Sequence, residues 1–190
     1  KLMFVGIELE FYKIGDSAPA PLFQMVSKQN DWTKAVQSLR SQNVLTEAKS
    51  LNLEYWSTMK VYFENTATKL KCQKPQPQHW TSFAIGKSGF QLTVSASIRD
   101  HFIRLEFIMN SDNANNQFDL LLRQHENDSY EKIDKELIWD KMEDNKMSWV
   151  YITKEANVCD RTSWDDQFKW ILNMTEKFDS FFRPKIKQLN

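Results

Sequence analysis

Hydrophobic and polar residues alternate most regularly between residues 80 and 110. Phe90, Leu92, Val94, Ala96 and Ile98 are interleaved with Gln91, Thr93, Ser95 and Ser97. Further on, Ile103, Leu105, Phe107 and Met109 are interleaved with Arg104 and Glu106. A period of two with one apolar side describes strands that turn one face to a core. Gly86-Lys87-Ser88-Gly89 separates the first of these strands from the Trp80–Ile85 run, and Arg99-Asp100-His101 separates it from the second. Together they predict a three-stranded antiparallel meander entered through the proline-rich segment at Pro75 and Pro77.

A different period flanks the meander. Leu53, Trp56, Met59, Phe63, Ala67 and Leu70 recur at three- and four-residue steps, which predicts a helix from Thr46 to about Leu70. A shorter helix is expected before it, capped by Asn30 or Asp31 and ended by the polar Ser41-Gln42-Asn43. After the meander, Phe118, Leu121, Leu122, His125 and Ile133 predict another helix, with a kink expected at Asn127-Asp128-Ser129. Leu137–Met142 and Met147–Thr153 then read as a hairpin that extends the sheet, and a last helix from Ser163 runs to Phe182, where Pro184 should interrupt it. The order from residue 46 onward, α-β-β-β-α-β-β-α, argues an α+β fold with helices packed on an antiparallel sheet of about five strands.

Residues 1–45 read as a separate piece. Val5, Ile7, Leu9 and Phe11 alternate with Gly6, Glu8 and Glu10, and Leu22–Ser27 forms a second short strand beyond Pro19 and Pro21. Two strands alone are marginal in water. The N-terminal hairpin therefore either docks on the later sheet or is the tail of a larger upstream domain, with residues 46–190 forming the main α+β domain.

Composition narrows the chemistry. The 190 residues carry 25 basic and 25 acidic side chains, so no global field draws the chain to DNA or to an anionic membrane. Any nucleic-acid contact must come from a local patch. Cys72 and Cys159 match no metal-ligand spacing and accompany only three histidines, which argues against a zinc site, and two lone thiols point to a reducing, cytoplasmic setting. No apolar run has the length of a membrane span. Phosphate-binding loops, dinucleotide fingerprints, HExxH pairs and GxSxG elbows do not occur in the sequence.

The remaining candidates are few. Gly86 to Gly89 with Lys87 is a conceivable anion nest, although a hairpin turn is the plainer reading. Arg104 and Glu106 share one strand face, which suits a surface ion pair or, with Lys87 and Arg99, a phosphate-contacting strip. His79 beside Trp80 can seal a core edge or stack on a base. Lys69, Lys71 and Lys74 on one side and Arg183, Lys185 and Lys187 on the other are local basic clusters at expected helix ends. Glu8 and Glu10 are the only candidates for a metal-dependent nuclease centre, and their spacing from Lys13 does not fit one.

The runs LEYWSTMKVYFE, KPQPQHWTSFAIGKSGFQLTVSASIRD, DRTSWDDQFKWILNMTEKF and FFRPKIKQL carry a resemblance. In this order they look like an uncharacterised prokaryotic domain family whose members commonly follow a restriction-endonuclease-like PD-(D/E)XK segment. GIELEFYKIGDSAPAPLFQMVSKQNDW looks like the join between the two parts. The resemblance implies that nuclease carboxylates would lie upstream of Lys1, and it brings no catalytic residue to any position here.

The expectation is thus a non-catalytic accessory module of a nuclease-like restriction or defence protein, engaging DNA or a partner. Lys71, Lys74, His79, Trp80, Lys87, Arg99, Arg104, Arg183 and Lys185 are its candidate nucleic-acid contacts. No cofactor, catalytic residue, metal ligand or membrane partner is expected. The alternatives are a homo-oligomerisation module without nucleic acid and a metal-dependent nuclease, and Mg²⁺ enters only with the latter.

Overall fold

The computed structural model describes residues 7–12, 20–25, 29–142 and 147–189, with side chains from residue 47 onward. The chain divides into two units, Lys1–Glu47 and Ala48–Asn190. In the first, β1 (Ile7–Tyr12) and β2 (Ala20–Met25) pair antiparallel with Leu9 opposite Phe23, the hairpin that the alternation predicts.

Helix α1 runs from Gln29 to Glu64 without the expected break at Ser41-Gln42-Asn43. That stretch contains neither Gly nor Pro, and polar residues inside a helix each cost only tenths of a kcal/mol, about 0.7 at most, too little to stop it. The helix also ends earlier than its apolar spacing suggests. Thr66 Oγ1 donates to the Tyr62 carbonyl and the Leu70 amide donates to Thr68 Oγ1, so local hydroxyl bonds replace the helical ladder. Ala67 is consequently exposed and off the core stripe. Leu53 also faces out, while Tyr55, Trp56, Met59 and Phe63 are buried.

The second unit holds a five-stranded antiparallel sheet: β3 (Trp80–Ala84), β4 (Phe90–Ser97), β5 (Phe102–Asn110), β6 (Ile138–Lys141) and β7 (Met147–Glu155), in the spatial order β3-β4-β5-β7-β6. The expected meander is present, with Leu92 opposite both Phe83 and Phe107. The β6–β7 pair extends it, because β7 lies along β5 with Phe107 opposite Val150. Residues 143–146, expected as the turn between these two strands, lie outside the described residues. The architecture is α+β, in the expected element order.

Leu92, Val94, Ile103, Leu105, Phe107, Met109, Val150 and Ile152 form the apolar face and are fully or almost fully buried. They pack into one core with α1 residues from Tyr55 onward, with α2 (Ala114–Lys132) and with α3 (Trp164–Ile186). The Phe107 and Phe182 rings stack with centroids 4.1 Å apart. Helix α2 passes through Asn127-Asp128-Ser129, and Ser129 is satisfied by donating to the Glu126 carbonyl and accepting from Trp139 Nε1.

Pro184 does not interrupt α3 either. It sits in the last turn, where its fixed φ is helical and its missing N–H removes one bond near an end that frays anyway. Beyond it, the buried Ile186 ties that end to the core.

Candidate nucleic-acid interface

Alternate residues of the same strands form a second face, which α1 borders at Asn52. Register places Ser82, Thr93, Glu106 and Tyr151 in one row across the sheet, and Trp80, Ser95, Arg104 and Thr153 in the next. A third row carries Gln91, Ile108 and Trp149. Of these rows Trp80, Gln91, Thr93, Ser95, Arg104, Glu106, Ile108 and Trp149, with Asn52 of α1 and the Arg99-Asp100 turn, line an open trough of about 700 Å³.

The entry to the trough is fixed from below. Trp56 Nε1 donates to the Gln78 carbonyl at 2.7 Å and the Ala96 amide donates to the His79 carbonyl at 2.8 Å. The proline-rich approach is thereby pinned, leaving His79 and Trp80 exposed at the trough's edge. At the same end of β4, Asp100 accepts from the Ser97 hydroxyl and its amide donates back to it. His101 takes a φ of 51° there, a left-handed conformation in which His is enriched among non-glycine residues.

Arg104 is held on three sides. Its Nε donates to Thr153 Oγ1 at 3.1 Å, and its guanidinium lies 4.8 Å from the Phe102 ring centroid and 4.7 Å from that of Tyr151. Such contacts fix the plane of the guanidinium before any ligand arrives. Glu106 Oε1 is 4.0 Å from Arg104 Nη1 and accepts from the Ser95 hydroxyl at 3.3 Å. Burial pushes the Glu106 carboxyl above the usual carboxylate range, against the opposing pull of Arg104 and Ser95.

Two polar atoms around the trough have no partner. Trp56, Trp139 and Trp164 each donate their Nε1 hydrogen to a protein oxygen, whereas the buried Trp149 Nε1 donates to none. The same holds for Asn52 Oδ1, on a side chain 7% exposed. A buried polar atom left unpaired costs on the order of 1–3 kcal/mol, so each is a place where an added partner would be favourable.

Of the residues expected from sequence, His79, Trp80, Arg99 and Arg104 line this trough. Lys87 does not join them. It lies beyond the opposite end of β4 from Arg99, a strand length of roughly 25 Å away, so the strip imagined from Lys87 to Arg104 is not continuous. Its ammonium instead donates to the Ile186 carbonyl at 3.1 Å and to the Leu189 carbonyl, neutralising the C-terminal end of α3.

Gly86 and Gly89 take φ values of 88° and 82°, as the hairpin-turn reading requires. A Cβ on Gly86 would approach Arg183 Nη1 to 2.7 Å, so the turn accommodates that side chain. Arg183 itself bonds Asp179 through Nε and Nη2 and donates to the Ala84 carbonyl at 3.1 Å. Lys185 donates to the Phe181 carbonyl at 3.0 Å and lies over the Phe181 ring. Lys71 and Lys74 are exposed on the connection after α1, not at a helix end, and Lys71 lines a separate hollow with Arg183.

Residues 51–186 match the family described as Domain of unknown function (DUF4268). The chain belongs to this family. No curated protein and no solved structure matches it. The DUF4268 match spans most of α1's described side chains, the whole five-stranded sheet and α3, and therefore every residue of the trough except Ala48.

Both cysteines are free thiols, Cys72 half-buried and Cys159 exposed. Among the described residues no helix is long and apolar enough to cross a membrane, and no three His, Cys, Asp or Glu side chains group to hold a metal ion. The side chains of Glu8 and Glu10 lie outside the described residues.

Asn52, Tyr151 and Trp149 were not among the sequence candidates for the site. For Trp149 a signal existed: it shares strand parity with Thr153, opposite to Val150 and Ile152, so it had to leave the core face.

Proposed function

We propose that this chain is a non-catalytic module that engages DNA through the trough face of its sheet, as the accessory part of a nuclease-like protein with a PD-(D/E)XK segment. The observation that carries the reading is the gathering of His79, Trp80, Arg99 and Arg104 around one trough, while Lys87, Arg183 and Lys185 are spent on internal carbonyls and on Asp179. Aromatic surface beside a guanidinium held in place, that of Arg104, is the chemistry of nucleic-acid contact. The charged groups of the trough also suit holding more than bond-making, since Arg99 lies 3.3 Å from Asp100 and Arg104 is bound to Thr153 and faces Glu106. The link to a nuclease partner rests on the sequence resemblance.

A titration of labelled DNA by fluorescence polarisation at several salt concentrations tests the reading. Binding should weaken with salt, and Arg104→Ala should lower the slope of log K against log salt by about 0.7–0.9, the share of one phosphate contact. Absence of binding even at low salt rules the reading out.

A further inference from the structure

We infer that the trough takes the unpaired bases of a single strand in preference to a duplex, an inference that rests on the proposal that this face engages DNA. Three features of the trough converge on that ligand.

The first is unused hydrogen-bonding capacity. Asn52 Oδ1 is a buried acceptor and Trp149 Nε1 a buried donor, and both residues line the trough without a partner for these atoms. A phosphate diester offers acceptors alone and does not satisfy Asn52 Oδ1 in the orientation this side chain takes. Base edges carry N–H donors and carbonyl or ring-nitrogen acceptors side by side, but those on the Watson–Crick edge are free only when the base is unpaired.

The second is the ring at the mouth. Trp80 is 39% exposed although it begins a strand of the sheet, and exposed His79 lies beside it. An accessible indole offers a flat face on which any base can stack, which a base buried in duplex stacking does not need.

The third is charge. Duplex DNA presents a negative charge about every 1.7 Å, and proteins that bind it supply uncompensated cations. Here each arginine of the trough has a carboxylate close by, Asp100 at 3.3 Å from Arg99 and Glu106 at 4.0 Å from Arg104. The surface is therefore poor in net positive charge and rich in stacking and edge-reading groups. Its width, from β3 to β7, is three strand spacings or about 14 Å, enough for a short run of nucleotides.

The test compares one labelled oligonucleotide, single-stranded and annealed to its complement, against the full chain and its Trp80→Ala and Trp80→Phe variants. The single strand should bind at least about tenfold more tightly than the duplex. Trp80→Ala should weaken single-strand binding by about tenfold, and Trp80→Phe, which retains a ring, should recover most of the loss. Because Trp80 is exposed, its replacement leaves the fold intact, and an unchanged far-ultraviolet circular dichroism spectrum checks this. Equal or tighter duplex binding, or a Trp80→Ala variant that binds the single strand like the parent, overturns the inference while leaving DNA engagement standing. Loss of both ligands at low salt overturns the inference and the proposed function together.

Discussion

The two faces of the five-stranded sheet are built from the same strands and serve opposite ends. On one face Leu92, Val94, Leu105, Phe107 and Val150 are wholly buried under helices. On the other, one residue along each strand, Thr93, Glu106 and Ile108 are also almost buried, Thr93 hydrogen-bonded with Ser82 and Glu106 with Ser95. A solvated strand face would leave such side chains open to water. The apolar face satisfies itself by packing, whereas the trough face ends with an acceptor and a donor unpaired. Polar capacity left over within a concave surface marks where a fold has room to serve something other than its own stability.

The largest difference between the faces should appear in stability. Phe182 is fully buried and stacks on Phe107, so Phe182→Ala should cost about 3–5 kcal/mol in urea unfolding. Trp80→Ala on the opposite face should cost less than about 1 kcal/mol, as expected for an exposed side chain outside any special contact. Comparable losses at the two positions would erase the distinction between a structural and a free face.

A smaller effect separates the basic residues that the sequence grouped together. Lys87 bonds the last carbonyls of α3, so Lys87→Met should lower stability by about 0.3–1 kcal/mol and leave DNA affinity unchanged. Arg104→Ala should do the reverse, with its main effect on binding. If Lys87→Met weakens DNA binding as much as Arg104→Ala does, the site extends beyond the trough and the division between the two lysine- and arginine-bearing regions fails.

That pair also shows what could be read from the chain and what could not. Strand parity is local, so the alternation of residues 90–98 and 103–109 correctly assigned the meander, its core face and the shared face of Arg104 and Glu106. The helices' existence was equally legible from their apolar spacing. Their ends were not, because the difference between stopping at Glu64 and at Leu70 is a few local hydroxyl bonds of small energy. Pro184 misled for the same reason: its cost depends on how near the helix end it falls. The site was only partly legible. His79, Trp80, Arg99 and Arg104 were candidates by residue type, but so were Lys87 and Arg183, and these are committed to Ile186 and Ala84 across the whole length of the second unit. Whether a cation is spent or spare depends on partners about a hundred residues away, which no local pattern encodes.

The smallest expected effect concerns Glu106, and it tests whether the trough face is truly water-poor at its centre. Burial raises this carboxyl's pKa in the folded chain above its ordinary value of 4.5, with Arg104 and Ser95 offsetting part of the rise. In the window between those two values the native state retains a proton that the unfolded chain has released, so stability contributed at Glu106 is complete below the window and declines as pH rises through it. Glu106→Gln keeps the shape and removes the titration. The difference in unfolding free energy between the parent and this variant, measured by urea at a series of pH values from 4 to 7, should therefore move in the variant's favour as pH increases. Other carboxylates, including Glu54 and Asp160, whose partners hold them below the usual range, titrate alike in both proteins and cancel in the difference. Parallel curves for the two proteins would mean that Glu106 is as hydrated as a surface carboxylate, and the trough face would then be an ordinary solvated one.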